Sequence, residues 1–465
     1  MILLTLSGLV ATDPVTADDF DRWMDAVTPS TVVVGEDDGA VPLEDMLAAR
    51  NVPGAQVVLI DDWKIVASRS YGWADVAAKR PVTNDTRFQA ASISKPVAAL
   101  AMLSMVDEGQ LDLDRPVNAQ LASWQVPAHD FPGAVTLRGL LSHTAGTSTS
   151  GFPGYARSET VPSITDILDG RGNTEAVRVT IAPGSEHRYS GGGFTVAELL
   201  AEDVAGRPFE WIAFDHVLRP FGMRHSTYAL GETVRAPLAL AYGGDGSAVE
   251  GGWHDYPEQA AAGLWTTSED LAAFALALAK IAGGEDGGAI SPETARTMLT
   301  AVMSDYGLGI GSWEQEGTRW FGHGGSNRGY KTMLRFSPET GEGIAIMTNG
   351  DRGGGVFQSI IGKVATEMGW KGMGPNRLVK ATPDASVLAS VAGTYRFDGE
   401  DYVLKVEGDG WILHEPDGGT DRALAIDGDR IYFPSAEQLF DINRGDDGAV
   451  VSISLGGAVL PRVSD

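Results

Sequence analysis

The sequence predicts an α+β fold: an antiparallel sheet flanked by helices, a mostly helical subdomain, and a small C-terminal antiparallel β-barrel. Three observations predict it. β-Rich segments occur near residues 55–71 and again near 329–348, so one sheet must be assembled from distant parts of the chain. The long stretch between them reads as helices joined by Gly/Pro loops. The last 80 or so residues are short β patterns punctuated by Asp-Gly and Gly-Asp pairs.

Each element has its own signal. Residues 55–61 and 63–71 are rich in β-formers and meet at Asp61-Asp62, which reads as a hairpin. Residues 97–106 are apolar almost all round, broken only by Ser104, as expected of a buried helix. A helix over 194–204 closes at Gly206, and another over 269–283 ends at glycine. Strands follow at 329–336 and 342–348, then a helix at 355–368. Residues 376–385, with two prolines nearby, read as a linker between a domain at 18–375 and a barrel at 386–465. Six barrel strands are expected, at 393–397, 402–406, 411–414, 430–433, 439–442 and 450–455. Residues 1–17 read as a signal segment or an N-terminal extension: the stretch is apolar, but no Lys or Arg precedes Arg22.

Composition narrows the function. With 35 basic and 62 acidic residues the net charge is −27, which argues against nucleic acid and against docking on anionic lipid. The absence of cysteine removes disulfides, thiolate metal sites and a thiol nucleophile. No apolar run reaches the ~18–20 residues of a membrane span. There is no His-x-x-x-His pair, Gly-x-Ser-x-Gly elbow or phosphate-binding Gly-x-x-x-x-Gly-Lys loop, so no metal or cofactor is expected. Neither an exported nor a cytoplasmic location is favoured, and no oligomer is indicated.

Three motifs carry chemistry. Ser92-Ile93-Ser94-Lys95 is the one Ser-x-x-Lys of the chain, and Pro96 suits the first turn of the helix behind it. In a helical turn the serine and the lysine share a face, and a desolvated amine at a helix mouth can take a proton from a hydroxyl. Tyr189-Ser190-Gly191-Gly192-Gly193 comes 97 residues later and offers a phenol for proton transfer. His323-Gly324-Gly325-Ser326-Asn327 precedes a strand, and the N–H of Ser326 paired with that of Ser92 could form an oxyanion hole. Alone, each fits a structural role: a capping serine with a solvated lysine, a core tyrosine before a turn, an ordinary turn histidine. Together they point to acyl transfer on a serine.

Over residues 40–370 the chain resembles the serine β-lactamase and penicillin-binding-protein superfamily, in its class C-like branch with family VIII esterases and D-aminopeptidases. The three motifs carry the resemblance, with Leu140-Leu141-Ser142-His143-Thr144-Ala145-Gly146 between the first two. So do the flanks Phe88-Gln89-Ala90-Ala91, Ala262-Gly263-Leu264, Ser268-Glu269-Asp270-Leu271 and Met347-Thr348-Asn349-Gly350. The resemblance implies a β-lactamase/transpeptidase-like fold. It also implies Ser92 as nucleophile, Lys95 and Tyr189 sharing the base and acid work, and the N–H groups of Ser92 and Ser326 holding the oxyanion. His323, Gly324 and Gly325 would line the site. Two positions depart from it. Gly191 stands where many relatives carry an asparagine that contacts substrate. His323 stands where efficient β-lactamases carry lysine, and an ordinary histidine titrates near neutrality, so β-lactam hydrolysis ranks low.

The C-terminal module resembles a lipocalin-like barrel appended to related peptidases, through Val391-Ala392-Gly393-Thr394-Tyr395. Narrowing the site entrance, aiding oligomerisation and capping the sheet all fit it. The expected function is hydrolysis of an ester or of a peptide or amide bond, with a small molecule or short peptide as substrate. An acyltransferase and a non-catalytic sensor of the same fold are the alternatives.

Overall fold

The computed structural model describes residues 14–230, 237–426, 429–455 and 458–463 of the 465. The chain forms two compact units. One holds Pro42–Phe357 with the segment up to Asp25, and the other holds Ala26–Val41 with Gln358–Asp465. Of the segment read as a signal or extension, residues 1–13 lie outside the described residues. Thr16 caps a helix at Ala17–Met24, its hydroxyl accepting from the Asp19 N–H.

The first unit is organised by a seven-stranded sheet. Its spatial order is Arg80–Pro81, Lys64–Asp75, Gly54–Asp61, Gly343–Thr348, Tyr330–Phe336, Thr318–Asn327 and Gly311–Gln315, each strand antiparallel to its neighbours. The early hairpin and the late strands join where Gly54–Asp61 pairs with Gly343–Thr348, Ala345 facing Val58. The assembly of one sheet from distant segments is thus as the sequence predicts. The strand Gly54–Asp61 is buried from Gly54 to Ile60, and the helix Ser268–Ala282 packs against it.

The helical part carries the core. From Ser94 to Met105 every residue of the helix Ser94–Asp107 is buried. A helix apolar all round has no face to give to water, so neighbours must enclose it. The helices Gly191–Ala205 and Ser268–Ala282 fall where they are expected. Each begins under a side-chain cap, from Ser190 and Thr267. The helix expected at 355–368 spans Gly353–Met368.

The second unit is a closed barrel of eight antiparallel strands, from Gly393–Phe397 to Ala458–Val463. The strands Thr420–Ile426 and Ala458–Val463 are additional to the six expected. The first begins with three polar residues and the second contains Pro461, so neither has an unbroken run of β-formers. The stretch expected as linker contains a strand, Asn376–Val379, paired in parallel with Thr31–Val34. Leu378 and Val33 bury together with Leu424, Ile426 and Tyr432, which gives this short strand its place.

Candidate active site

The chain reaches Ser92 through a strained turn. The strand Phe88–Gln89 pairs with Trp265–Thr266, and the Ala90 N–H donates to the Leu264 carbonyl at 2.8 Å. Ala91 then takes a φ of 51°, the left-handed region that costs a residue with a Cβ on the order of 1 kcal/mol. A 3-10 turn over Ala91–Ile93 leads into the buried helix. The Ser94 hydroxyl locks this junction by donating to the Ala91 carbonyl at 2.5 Å and accepting from the Leu264 N–H at 2.9 Å. Ser92 is left half-buried at the helix mouth.

Lys95 is 2% exposed, and its Nζ lies 3.1 Å from Ser92 Oγ. A second contact runs to the Ala261 carbonyl at 2.8 Å. A carbonyl only accepts, so one N–H of the lysine is committed there. Nζ also lies 4.9 Å from the ring centroid of Tyr189 and 5.7 Å from that of Phe194. The first two motifs, 97 residues apart, therefore converge on one amine.

The third motif arrives on the strand Thr318–Asn327. Gly325 presses against the turn before Ser92: a Cβ placed on it would lie 2.2 Å from the Ala90 carbonyl oxygen and 2.2 Å from Thr332 Oγ1. The Thr332 hydroxyl donates to that same carbonyl at 2.9 Å. Only glycine permits this approach. Ser326 follows, exposed, its Oγ accepting from Lys331 Nζ at 2.8 Å. At Gly324 an added Cβ would meet the flexible end of Met333 at 3.3 Å and the Thr332 carbonyl oxygen at an ordinary 3.9 Å.

His323 does not titrate near neutrality. Burial, and then the nearby Lys95 charge, push it down to about 4. The residue keeps some accessible surface, and the protein atoms packed around the ring disfavour the charged form. Both nitrogens are engaged. Nδ1 lies 2.6 Å from the Gly324 carbonyl, so it carries the proton. Nε2 then accepts from the Tyr306 hydroxyl at 3.0 Å. The ring is held as one neutral tautomer, 6.1 Å from Tyr189 between centroids.

Two further groups had no role assigned from sequence. His143, in the Leu-Ser-His-Thr-Ala-Gly motif, is 2% exposed and packs on Tyr189 with ring centroids 4.2 Å apart. Its Nδ1 accepts from the Ser190 N–H at 3.1 Å, and its carbonyl accepts from the Arg188 N–H at 2.7 Å. Burial, then Lys95, holds its pKa well below the usual imidazole range. Tyr306 packs on both His143 and His323. The signal for His143 was its place in a quoted motif; nothing local marks Tyr306. Gly191 opens the helix Gly191–Ala205, where a Cβ would lie 3.0 Å from the Phe152 ring and 3.2 Å from the Ser150 carbonyl. Phe152 occupies the neighbourhood a longer side chain would need.

A family model described as Beta-lactamase matches residues 43–365. The chain belongs to the β-lactamase family. Esterase EstB of Burkholderia gladioli is 30% identical over 201 residues, covering 41% of this chain and 51% of that protein. Penicillin-binding protein 4 of Amycolatopsis lactamdurans is 24% identical over 380 residues, covering 75% of this chain and 94% of that one. Coverage of other relatives is partial, 37% of the length of protein flp of Staphylococcus aureus. The octameric penicillin-binding protein homologue from Pyrococcus abyssi shares the fold, with a TM-score of 0.63, 22% identity, and 90% and 98% of the two chains covered. Membership places the chain among serine hydrolases with the β-lactamase/transpeptidase-like fold, and the closed eight-stranded barrel fits the lipocalin-like module. Among the described residues no helix is long and apolar enough to cross a membrane.

Proposed function

We propose that this β-lactamase-family chain cleaves a carboxylic ester or an amide bond through an acyl-enzyme on Ser92. One observation carries the reading: Lys95 Nζ stands 3.1 Å from Ser92 Oγ and beside the Tyr189 ring. With one N–H committed to the Ala261 carbonyl, the amine in its unprotonated form turns its lone pair to the serine. Lys95 takes the hydroxyl proton as Oγ bonds to the substrate carbonyl carbon. Tyr189 hands a proton to the departing alkoxide or amine as its bond to carbon breaks, and recovers one through Lys95. The two groups act as a coupled system whose proton belongs to neither alone. The N–H groups of Ser92 and Ser326 hold the negative oxygen in each tetrahedral state. Water then attacks the acyl carbon and gives a proton to the Lys95–Tyr189 pair; the bond from carbon to Ser92 Oγ breaks, the proton returns to Oγ, and the carboxylic acid leaves.

His323 and Tyr306 shape the wall of the cleft. Held neutral, His323 offers no fixed positive charge to a substrate carboxylate. That favours esters and amine-terminal amides over β-lactams, and esterase EstB is among the relatives. The test is a panel of p-nitrophenyl esters and of D- and L-amino-acid p-nitroanilides. Intact-mass detection of an acyl group on the Ser92 peptide accompanies it. Turnover with an acyl adduct on Ser92 is expected; turnover unchanged in Ser92→Ala would refute the reading.

A further inference from the structure

The barrel is closed at one end and open at the other. Helix Ala385–Val391 plugs the first end. The Tyr395 hydroxyl donates to the Val391 carbonyl at 2.5 Å, and Trp411 Nε1 donates to the Leu388 carbonyl at 3.0 Å. Leu388 and Val391 are buried among the barrel's core side chains. The opposite end is framed by the connections after Gly393–Phe397, Gly410–His414 and Arg430–Phe433. There a cavity of about 330 Å³ opens, lined by Phe397, Leu413, Phe433, Phe440 and Leu460. Phe397 is 45% exposed, which leaves an aromatic ring in water on the rim of an apolar hollow.

The charge around the opening has one sign. The connecting segments 397–401, 414–421 and 433–438 carry Asp398, Glu400, Asp401, Glu415, Asp417, Asp421 and Glu437 and contain no lysine or arginine. Glu415 and Asp421 are themselves lining residues of the cavity. Arg396, on the adjoining strand, is already paired with Asp401. A wall of carbon side chains with carboxylates at the lip attracts a molecule that is apolar at one end and positively charged at the other.

We propose that the open end of the barrel binds a small apolar ammonium compound, with an alkyl or aryl group inside and the cation between Glu415 and Asp421. The site is separate from Ser92 chemistry and stands whether or not the proposed hydrolysis does. It gives the appended barrel a ligand of its own.

Calorimetric titration of the full chain tests this with octylammonium and, as the anionic match of similar length, octanoate. One octylammonium per chain is expected, bound about tenfold or more tightly than octanoate, with the difference shrinking at high salt. Ala436→Trp places a bulky ring at an exposed lining position and is expected to weaken octylammonium about tenfold, with an unchanged thermal midpoint. Glu415→Gln with Asp421→Asn is expected to erase most of the preference for the cation. If that pair perturbs folding through the lost Ser435–Asp421 hydrogen bond, Glu415→Gln alone reads the same preference. Ser92→Ala is expected to bind as the parent does. Absence of binding, equal affinity for octanoate, or binding indifferent to Ala436→Trp overturns the proposal.

Discussion

The imidazole of His143 lies against the ring of Tyr189, with centroids 4.2 Å apart and planes tilted by 41°. The same imidazole accepts the N–H of Ser190, the next residue along. His143 thus holds the tyrosine by its face and by its backbone. Removing it in His143→Ala opens space under the phenol and strands a buried N–H, worth about 1–3 kcal/mol. The expected result is a lower thermal midpoint and a kcat reduced about tenfold or more, while KM changes little. Steady-state kinetics with a p-nitrophenyl ester and a thermal melt measure both. A loss confined to KM would contradict a positioning role.

Ser92→Ala is expected to abolish ester turnover with folding intact, since the side chain is small and half-buried. Lys95→Ala is expected to lose several orders of magnitude, because the serine loses its proton acceptor. Lys95→Arg tells charge from basicity. A guanidinium keeps the charge but cannot accept a proton, so it is expected to be as inactive as the alanine variant. Recovery of activity in Lys95→Arg would show that the cation, rather than the lone pair, matters.

The two glycines of the third motif are not equivalent. At Gly325 a methyl group would fall 2.2 Å from the Ala90 carbonyl oxygen, so Gly325→Ala must push the strand away from the Ser92 turn. Its activity is expected to fall at least about a hundredfold, because a shift of about 1 Å in a reacting group costs that much. At Gly324 the closest atom is the flexible end of Met333, and Gly324→Ala is expected to stay within a few-fold of the parent. Equal losses in the two variants would contradict this geometry.

Stability carries a pH signature from Glu258. Its carboxyl is buried, neither oxygen has a hydrogen-bond partner among the described residues, and burial raises it from 4.5 to about 7. Below the lower value the group is neutral in both states and contributes nothing. Between the two values the unfolded chain releases a proton that the folded chain keeps, so stability falls as pH rises. Above about 7 the full deficit, roughly 3 kcal/mol, remains. Glu258→Gln is therefore expected to raise the thermal midpoint at about pH 8 and leave it little changed at about pH 4. Melts at both pH values decide; an equal shift at both would rule out the titration as cause.

His323 is expected to be silent in the pH–rate profile. Its value of about 4 keeps it neutral through the neutral range. His323→Gln is expected to change the level of kcat/KM but not the shape of its pH dependence. Loss of an acidic limb in that variant would return the titration to His323.

Much of the site was legible in the sequence because its chemistry is local. Ser92 and Lys95 are three residues apart at the start of an apolar helix, and helical geometry alone puts them on one face. The hairpin of Gly54–Asp61 with Lys64–Asp75 and the strand Tyr330–Phe336 were legible for a similar reason: period and turn residues lie within a dozen positions. Tyr306 and Phe152 were not, since nothing near either residue marks it. Their roles come from what lands on them, His323 on one and Gly191 on the other.

The same divide runs through the rest of the molecule. By itself the sequence determined the fold class, the serine–lysine pair and the order of the three motifs, because covalent spacing and side-chain polarity are properties of the chain. Only the tertiary structure decided the charge state of His323, the need for glycine at 325, and the membership of residues 26–41 in the barrel unit. Each of these depends on which distant atoms exclude water or occupy space beside a residue, and no local pattern encodes that.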